Sequence, residues 1–478
     1  MDLRARVVSA LRWSIIGRVI SQIVTWAVTI YVIRLLAPED YALMALVALI
    51  LGLAELIREL GLSEVIIQRD NLNKDDFRTI FGLLISSHLV LLMLIYFIAP
   101  GMANFFDSER LELVVRVASV VLLIQIFGVI PCALLDRAMR FKWTSLVTLI
   151  GAVTSSLVVL GMVYAGFGVW SLVGGYIVGT VVSTIGFQIG EPYIKWPSFR
   201  FGRARSFIAY SSRVMGSKIL YYFYTHADVV VVGKILGTTL LGYYTVSYNL
   251  ATLPMNKITG ILSSVGLSAY VQIKHDIPEI KSKFLYTIEI NSLVFFPVLW
   301  GLSSVAGDFV PVVLGEKWIP SIIVLQLITL IIPMQMTGPL NSPIMLAIGR
   351  ADLLMARLLT NVICVPIAIA IGSIWWGLAG TCLGWIVGFL IAYYINLRRF
   401  LPILNCNLVE YGRVMAPAAL MALVMYFVVA VTKVTVLNSI DPIHRLYLSV
   451  LIGATVYSGL LLIFRRDAFV RILSLVKG

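Results

Sequence analysis

The feature that most restricts this chain is a succession of apolar runs, each about 20 residues long, the length a helix needs to cross a hydrocarbon layer of about 30 Å. Short loops rich in Lys and Arg separate the runs. The spacing predicts about fourteen spans. In the N-terminal half these are Trp13–Leu36, Tyr41–Leu62, Arg78–Ala99, Leu113–Leu135, Thr144–Ala165 and Val169–Gly190. After a polar break come Val214–Leu236, Leu241–Leu267, Phe284–Ala306, Ile319–Ile348, Leu354–Ile374, Trp376–Leu397, Val414–Thr432 and Leu446–Phe464. Ile319–Ile348 is long and holds Pro333, Pro339 and Pro343, so it is expected to be kinked. The fold class is therefore an all-α polytopic membrane protein.

Composition excludes the alternative of a large soluble domain. The 478 residues are 60% hydrophobic and only 13% charged, against about 25% charged in soluble domains. The formal charge of +13 reports topology rather than nucleic acid. With the N-terminus placed in the cytoplasm, about 26 of the 37 basic residues fall on the cytoplasmic side. Both termini then lie inside, and the expected location is a bacterial inner (cytoplasmic) membrane. Arg4, Arg6 and Arg12 before the first run give it the look of a signal peptide. The run is too long and lacks a small-residue cleavage site, so it reads as an uncleaved first span. Cys132, Cys364, Cys382 and Cys406 show no metal-ligand spacing and read as small packing residues.

A repeat underlies the pattern. Arg34 to Ala42 aligns without a gap on Lys234 to Gly242, an offset of 200 residues, and Arg18 aligns with Lys218. Span one thus overlays span seven and span two overlays span eight. Six spans between copies make the repeats parallel, a plan known among transporters. The expected organisation is an N-lobe at 1–190, a cytoplasmic linker at 191–213, a C-lobe at 214–400 and two additional spans in 401–478.

Charges inside a bilayer are costly and mark cavities, partners or interfaces. Arg18 and Lys218 lie early in spans one and seven, where snorkelling to the headgroups and a cavity role both fit. Glu55, Arg58 and Glu59 share one face of span two at i, i+3 and i+4. They form either a self-neutralising cluster or a polar cavity wall. His226 and Asp228 sit in the outer half of span seven beside Tyr221, Tyr222 and Tyr224. A lock between Asp228 and Lys234 or Arg34 and a role in proton coupling are both open. Lys257, with Asn249 and Asn256, marks span eight as inward-facing. Glu289, Asn291, Gln125 and His88 are weaker candidates, since one polar residue in a bundle usually joins helices. No G-x-x-x-x-G-K-[ST], H-E-x-x-H or G-x-S-x-G occurs, so no phosphate-binding loop, zinc-protease or hydrolase motif is present. No cofactor or metal is called for.

Several runs together resemble a known family. They are Tyr31-Val32-Ile33-Arg34-Leu35-Leu36-Ala37-Pro38-Glu39-Asp40-Tyr41, Glu59-Leu60-Gly61-Leu62-Ser63 and Ile67-Gln68-Arg69. Later come Ala227 to Gly237, Leu241-Gly242-Tyr243-Tyr244 and Leu314-Gly315-Glu316-Lys317-Trp318. Their order is similar to that in Wzx-type flippases and colanic-acid-exporter-like proteins of the multidrug/oligosaccharidyl-lipid/polysaccharide exporter superfamily. Members usually carry Phe-Pro near the position of Leu267-Ser268; this chain does not.

The resemblance implies two six-helix lobes around a central cavity that opens alternately to each side. It implies an undecaprenyl-diphosphate-linked oligosaccharide as cargo, moved outward across the membrane and driven by an H+ or Na+ gradient. Arg18, Arg58, Lys218 and Lys257 then become the expected diphosphate partners. Glu55, Glu59, His226, Asp228, Asn249 and Glu289 become cavity or coupling candidates. Membrane lipid and polysaccharide polymerase or assembly proteins are the implied partners. A drug/ion antiporter, a lipid II flippase and an integral-membrane polymerase or ligase are the competing readings.

The predicted orientation has a direct check. In a chain with its native cysteines replaced, Phe167→Cys is expected to react with a membrane-impermeant maleimide added outside, and Ser198→Cys is not. The reverse pattern would invert the topology.

Overall fold

The computed structural model describes residues 25–26, 28–59, 66–67, 72–199 and 219–466, with the side chains of 57–59, 254–265 and 268 outside the description. Every regular element among the described residues is helical. The chain divides into two compact units, Met1–Gly242 and Tyr243–Gly478. Among the described residues, nine helices are long and apolar enough to cross a membrane by length and composition.

In the first unit a helix at 28–35 (α1) is followed by α2 (Pro38–Glu59) and α3 (Lys74–Phe105). Then come α4 (Glu109–Ala118), α5 (Val121–Arg137), α6 (Phe141–Tyr164), α7 (Val169–Gly190) and a helix at 219–235 (α8). The second unit holds most of α9 (Thr238–Gln272), then α10 (Ile277–Phe309), α11 (Ile322–Gln335), α12 (Gly338–Ala347), α13 (Ala351–Phe400), α14 (Leu408–Thr435) and α15 (Pro442–Phe464).

Helix starts follow from loop residues. Pro38 opens α2 with its ring pre-set for the first turn, and the Asp40 carboxylate accepts from the Ala37 amide. Asn73 and Asp76 form a reciprocal capping box at α3. Asp276, Asn407 and Asp441 accept from the first free amides of α10, α14 and α15.

The fourth expected span is interrupted: α4 ends at Ala118, and the Ser119 hydroxyl donates back to the Arg116 carbonyl. Such local bonds compete with the helix ladder. The proline-rich span is broken as its prolines predict, with Met336 and Thr337 between α11 and α12.

Two hairpins are built the same way. Between α6 and α7, Gly168 adopts φ 55° and ψ −130°. Within α13, Gly377 adopts φ 56° and ψ −135° and folds one 50-residue helix into two passes. Only glycine takes such a backbone cheaply. Seven residues on, Gly175-Tyr176-Ile177-Val178-Gly179 corresponds to Gly384-Trp385-Ile386-Val387-Gly388. Both are G-x-x-x-G pairs, and both abut the preceding helix. A Cβ on Gly179 would lie 2.9 Å from Ser155 Cβ, and one on Gly384 would lie 2.2 Å from the Ala368 carbonyl oxygen. With lipid on the outside, apolar contact alone gives little drive, and close backbone approach supplies the packing.

The start of α9 meets the start of α2. Thr239 Oγ1 donates to Glu39 Oε1 at 2.6 Å, so positions 200 residues apart touch each other. A Cβ on Gly242 would fall 2.0 Å from the Pro38 carbonyl oxygen.

The two C-terminal helices are fastened to α10. Lys281 pairs with Glu410 at 2.8 Å, and Glu289 with Arg465 at 3.1 Å. Toward the other end of α10, Asp308, 3% exposed, holds Lys433 at 2.6 Å and Arg445 at 2.7 Å. Phe284 and Tyr411 stack in the core between them, and the Tyr457 hydroxyl donates to the Leu293 carbonyl.

Removing one member of a buried ionic cluster leaves the others uncompensated. Asp308→Ala is expected to destabilise the purified protein by about 3–5 kcal/mol, and Gly384→Leu by about 1–3 kcal/mol or more through overpacking. Thermal unfolding in detergent checks both. Unchanged midpoints would remove the clamp and the hairpin seam from the stability of the fold.

Candidate functional site

One set of polar residues gathers along the seam of α2 and α8 in the first unit. Glu55, half-buried on α2, accepts from Gln125 Nε2 of α5 at 3.1 Å. Three residues earlier, Gly52 leaves room for Tyr222 of α8, whose hydroxyl oxygen would lie 2.6 Å from a Cβ there. That hydroxyl donates to the Leu49 carbonyl at 2.6 Å. A helix carbonyl already engaged in its own turn can accept this second bond because it has two lone pairs.

One turn along α8, the His226 ring stacks on Tyr222 with centroids 4.1 Å apart and planes at 22°. Its Nδ1 lies 3.0 Å from the Tyr222 carbonyl. Asp228 is buried, with Oδ1 accepting from the Val229 amide at 2.8 Å. Glu55, Tyr222 and His226 thus share one seam of the first unit, joining an acid, a phenol and an imidazole, while Asp228, two residues past His226, lies on the opposite face of α8. Such a seam can bind polar cargo or carry a proton, and it holds no arrangement for nucleophilic chemistry. Among the described residues no cluster of His, Cys, Asp and Glu could hold a metal ion.

The remaining expected residues separate. Arg18 and Lys218 lie outside the described residues. Arg58 and Glu59 stand in the last turn of α2, and Lys257 lies on α9, with side chains outside the description. Arg58 and Lys257 fall within one residue of equivalence under the 200-residue offset. Asn249 is exposed on α9. Glu289 is drawn into its pair with Arg465. The Lys234 ammonium, one expected partner for Asp228, pairs with Asp107 at 2.9 Å.

Three features escaped the sequence reading. Tyr222, noted there only as aromatic character, is the residue that reaches α2. Asp308 with Lys433 and Arg445 forms the buried ionic cluster. In the second unit Thr337, Tyr393 and Tyr411 form a hydroxyl chain with bonds of 2.9 and 2.7 Å. The first had a sequence signal, a glycine on the polar face of span two that only a close neighbour would require. The other two join residues far apart in the chain.

Residues 31–323 match the family described as polysaccharide biosynthesis protein. The lipopolysaccharide biosynthesis protein WzxC of Escherichia coli K12 is 25% identical over 426 residues, covering 86% of this chain and 84% of its own length. The succinoglycan biosynthesis transport protein ExoT of Rhizobium meliloti 1021 is 22% identical over 457 residues, covering 93% and 90%. In three dimensions the chain is similar to the lipid II flippase MurJ in an inward closed conformation. The TM-score is 0.77 at 16% identity, with 95% of this chain and 99% of that one covered.

The seam makes a local prediction. Tyr222→Phe loses one hydrogen bond worth about 1 kcal/mol, and Gly52→Val displaces the ring at a cost of about 1–3 kcal/mol. Thermal unfolding of the two variants is expected to show the glycine change as the more damaging. The opposite order would mean that the ring does not rest on Gly52.

Proposed function

Since the chain belongs to the polysaccharide biosynthesis protein family, we propose that it is a flippase that carries an undecaprenyl-diphosphate-linked oligosaccharide from the cytoplasmic to the outer leaflet. The observation that carries this reading is the polar seam of Glu55, Tyr222 and His226 between membrane helices. Lipid does not tolerate such a seam without a use, because each unspent polar group there costs free energy. A substrate with a sugar head and a prenyl tail needs both environments at once. The head requires hydroxyl, amide and charged partners, while the tail stays in hydrocarbon.

The diphosphate needs cations, and Arg18, Arg58, Lys218 and Lys257 are the proposed partners. Arg58 and Lys257 at near-equivalent places in the two repeats would offer one cation from each proposed lobe, 1–190 and 214–400. Movement is proposed to follow alternating access, with a proton or sodium gradient as the driver. Among the coupling candidates, His226 shares the seam with Glu55, and Asp228 lies on the other face of α8. The exposed Asn249 amide suits a wall that meets the sugar rather than lipid. Glu59 and Glu289 complete the proposed polar set.

The names of the relatives support a polysaccharide cargo: one is a lipopolysaccharide biosynthesis protein and another a succinoglycan transport protein. The buried or half-buried acids Glu55 and Asp228 also favour a second reading, a drug/ion antiporter, whose cationic cargo would pair with them and not with the basic set.

Charge removal separates the two. A charged hydrogen bond to phosphate is worth about 1.5–3 kcal/mol. In cells that depend on this chain for polysaccharide export, Arg58→Ala and Lys257→Ala, inserted at normal levels, are each expected to lower export at least about tenfold. Export unchanged in both variants would refute the cationic diphosphate site.

A further inference from the structure

The start of the linker after α7 is not a loose connection. Residues 191–199 run as an extended strap across the basic end of the first unit. The Gln188 side chain fixes its entry, accepting from the Tyr193 amide at 2.9 Å and donating to the Tyr193 carbonyl at 3.1 Å. Gln188 Nε2 also donates to the Phe127 carbonyl of α5 at 2.7 Å. Further along, the Ser198 amide donates to the Arg78 carbonyl, and Arg78 Nε donates to the Trp196 carbonyl. Gly82 of α3 accommodates the contact, since a Cβ there would lie 2.3 Å from the Ser198 carbonyl oxygen. Tyr193 is buried and packs edge-on against Phe81.

The strap closes one end of a groove between α5 and α7. The groove has a volume of about 610 Å³ and is lined by Leu123, Ile124, Phe127, Ile185, Ile189 and Ile194, among others. It follows α7 from Val181 to Ile189, roughly 12 Å at the rise of a helix, most of one leaflet's share of the hydrocarbon. Phe127, Ile185 and Ile189 are exposed on the surface of membrane-spanning helices, so what reaches them is another membrane-embedded chain.

The mouth of the groove has the character of a headgroup layer. Trp196 is 85% exposed, and it shares a face of the extended strap with Ile194. Aromatic side chains so placed settle at the membrane–water boundary. Lys195 is exposed, its ammonium 5.8 Å from the centre of the Tyr193 ring. Arg140 also stands at this end, bound to the Gly190 carbonyl and to Glu191. The sequence continues the bias: between Glu191 and Asp228 lie Lys195, Arg200, Arg203, Arg205, Arg213 and Lys218 and no acidic residue.

From this we infer that the groove and strap form a binding site for an anionic phospholipid of the leaflet on the basic side. One acyl chain lies along α5 and α7, and the phosphate sits at the strap beside Lys195. Basic pockets between helices on this side of a membrane recognise anionic headgroups. The site is separate from the α2–α8 seam and does not depend on the transport reading.

The test uses the full chain in phosphatidylcholine vesicles doped with phosphatidylglycerol or phosphatidylcholine brominated on the acyl chains. Bromine quenches nearby tryptophan, and the Trp196 contribution is the difference between the native chain and Trp196→Phe. The brominated phosphatidylglycerol is expected to quench that component at about a fivefold lower mole fraction than the brominated phosphatidylcholine, the preference one basic residue supplies near a surface. Lys195→Gln, at an exposed position, removes the preference. Ile124→Phe with Ile189→Phe, which fills the groove from its membrane side, weakens quenching by both lipids. Equal quenching by the two lipids, a preference that survives Lys195→Gln, quenching that survives filling of the groove, or quenching by neither lipid would each overturn the site.

Discussion

The whole structure depends on the fact that hydrocarbon offers no hydrogen-bonding partner. Backbone groups must therefore be satisfied within each segment, and a helix does this alone. The same rule applies to side chains. Hydroxyls on the spans mostly return to the preceding turn: Ser86 to Gly82, Thr180 to Tyr176, Thr252 to Tyr248, Thr329 to Leu325, Ser373 to Ile369 and Thr432 to Val428. These residues cost little in lipid and need no further role. The groups that cannot be satisfied this way are the ones with structural or functional meaning.

Those groups fall into two sets with different chemistry. Around α10 they are full charges in direct contact, Lys281 with Glu410, Glu289 with Arg465, and Asp308 with Lys433 and Arg445. Such pairs hold α14 and α15 in register with α10 and leave little free charge. Along α2 and α8 the partners are amide, phenol, imidazole and main-chain carbonyl: Gln125 on Glu55, Tyr222 on the Leu49 carbonyl, and His226 stacked on Tyr222.

Much of this architecture was legible in the chain. Apolar run length gave the helices, and three prolines gave the break between α11 and α12. What stayed hidden was which face each helix presents. A helix apolar all round has no hydrophobic stripe to read, so nothing in span nine announces that Asp308 will meet Lys433. The interruption at Ser119 was also hidden, since one hydroxyl in an apolar run has no distinct pattern. Of the site, the polar character of Glu55, His226 and Asp228 could be read, but the reach of Tyr222 onto Gly52 is a long-range fact of packing. G-x-x-x-G pairs at Gly175 and Gly384 were present in the sequence, and only the hairpin geometry gives them their purpose.

Passage of cargo across a sealed membrane is the property on which the functional reading stands. The direct measurement places the purified chain in liposomes with an undecaprenyl-diphosphate oligosaccharide labelled in one leaflet, and follows the label with and without a proton or sodium gradient. A flippase moves the label in a protein-dependent way, at a rate that responds to one of the two gradients. No crossing in vesicles that hold folded protein and a glycan matched to the cell's own would contradict it.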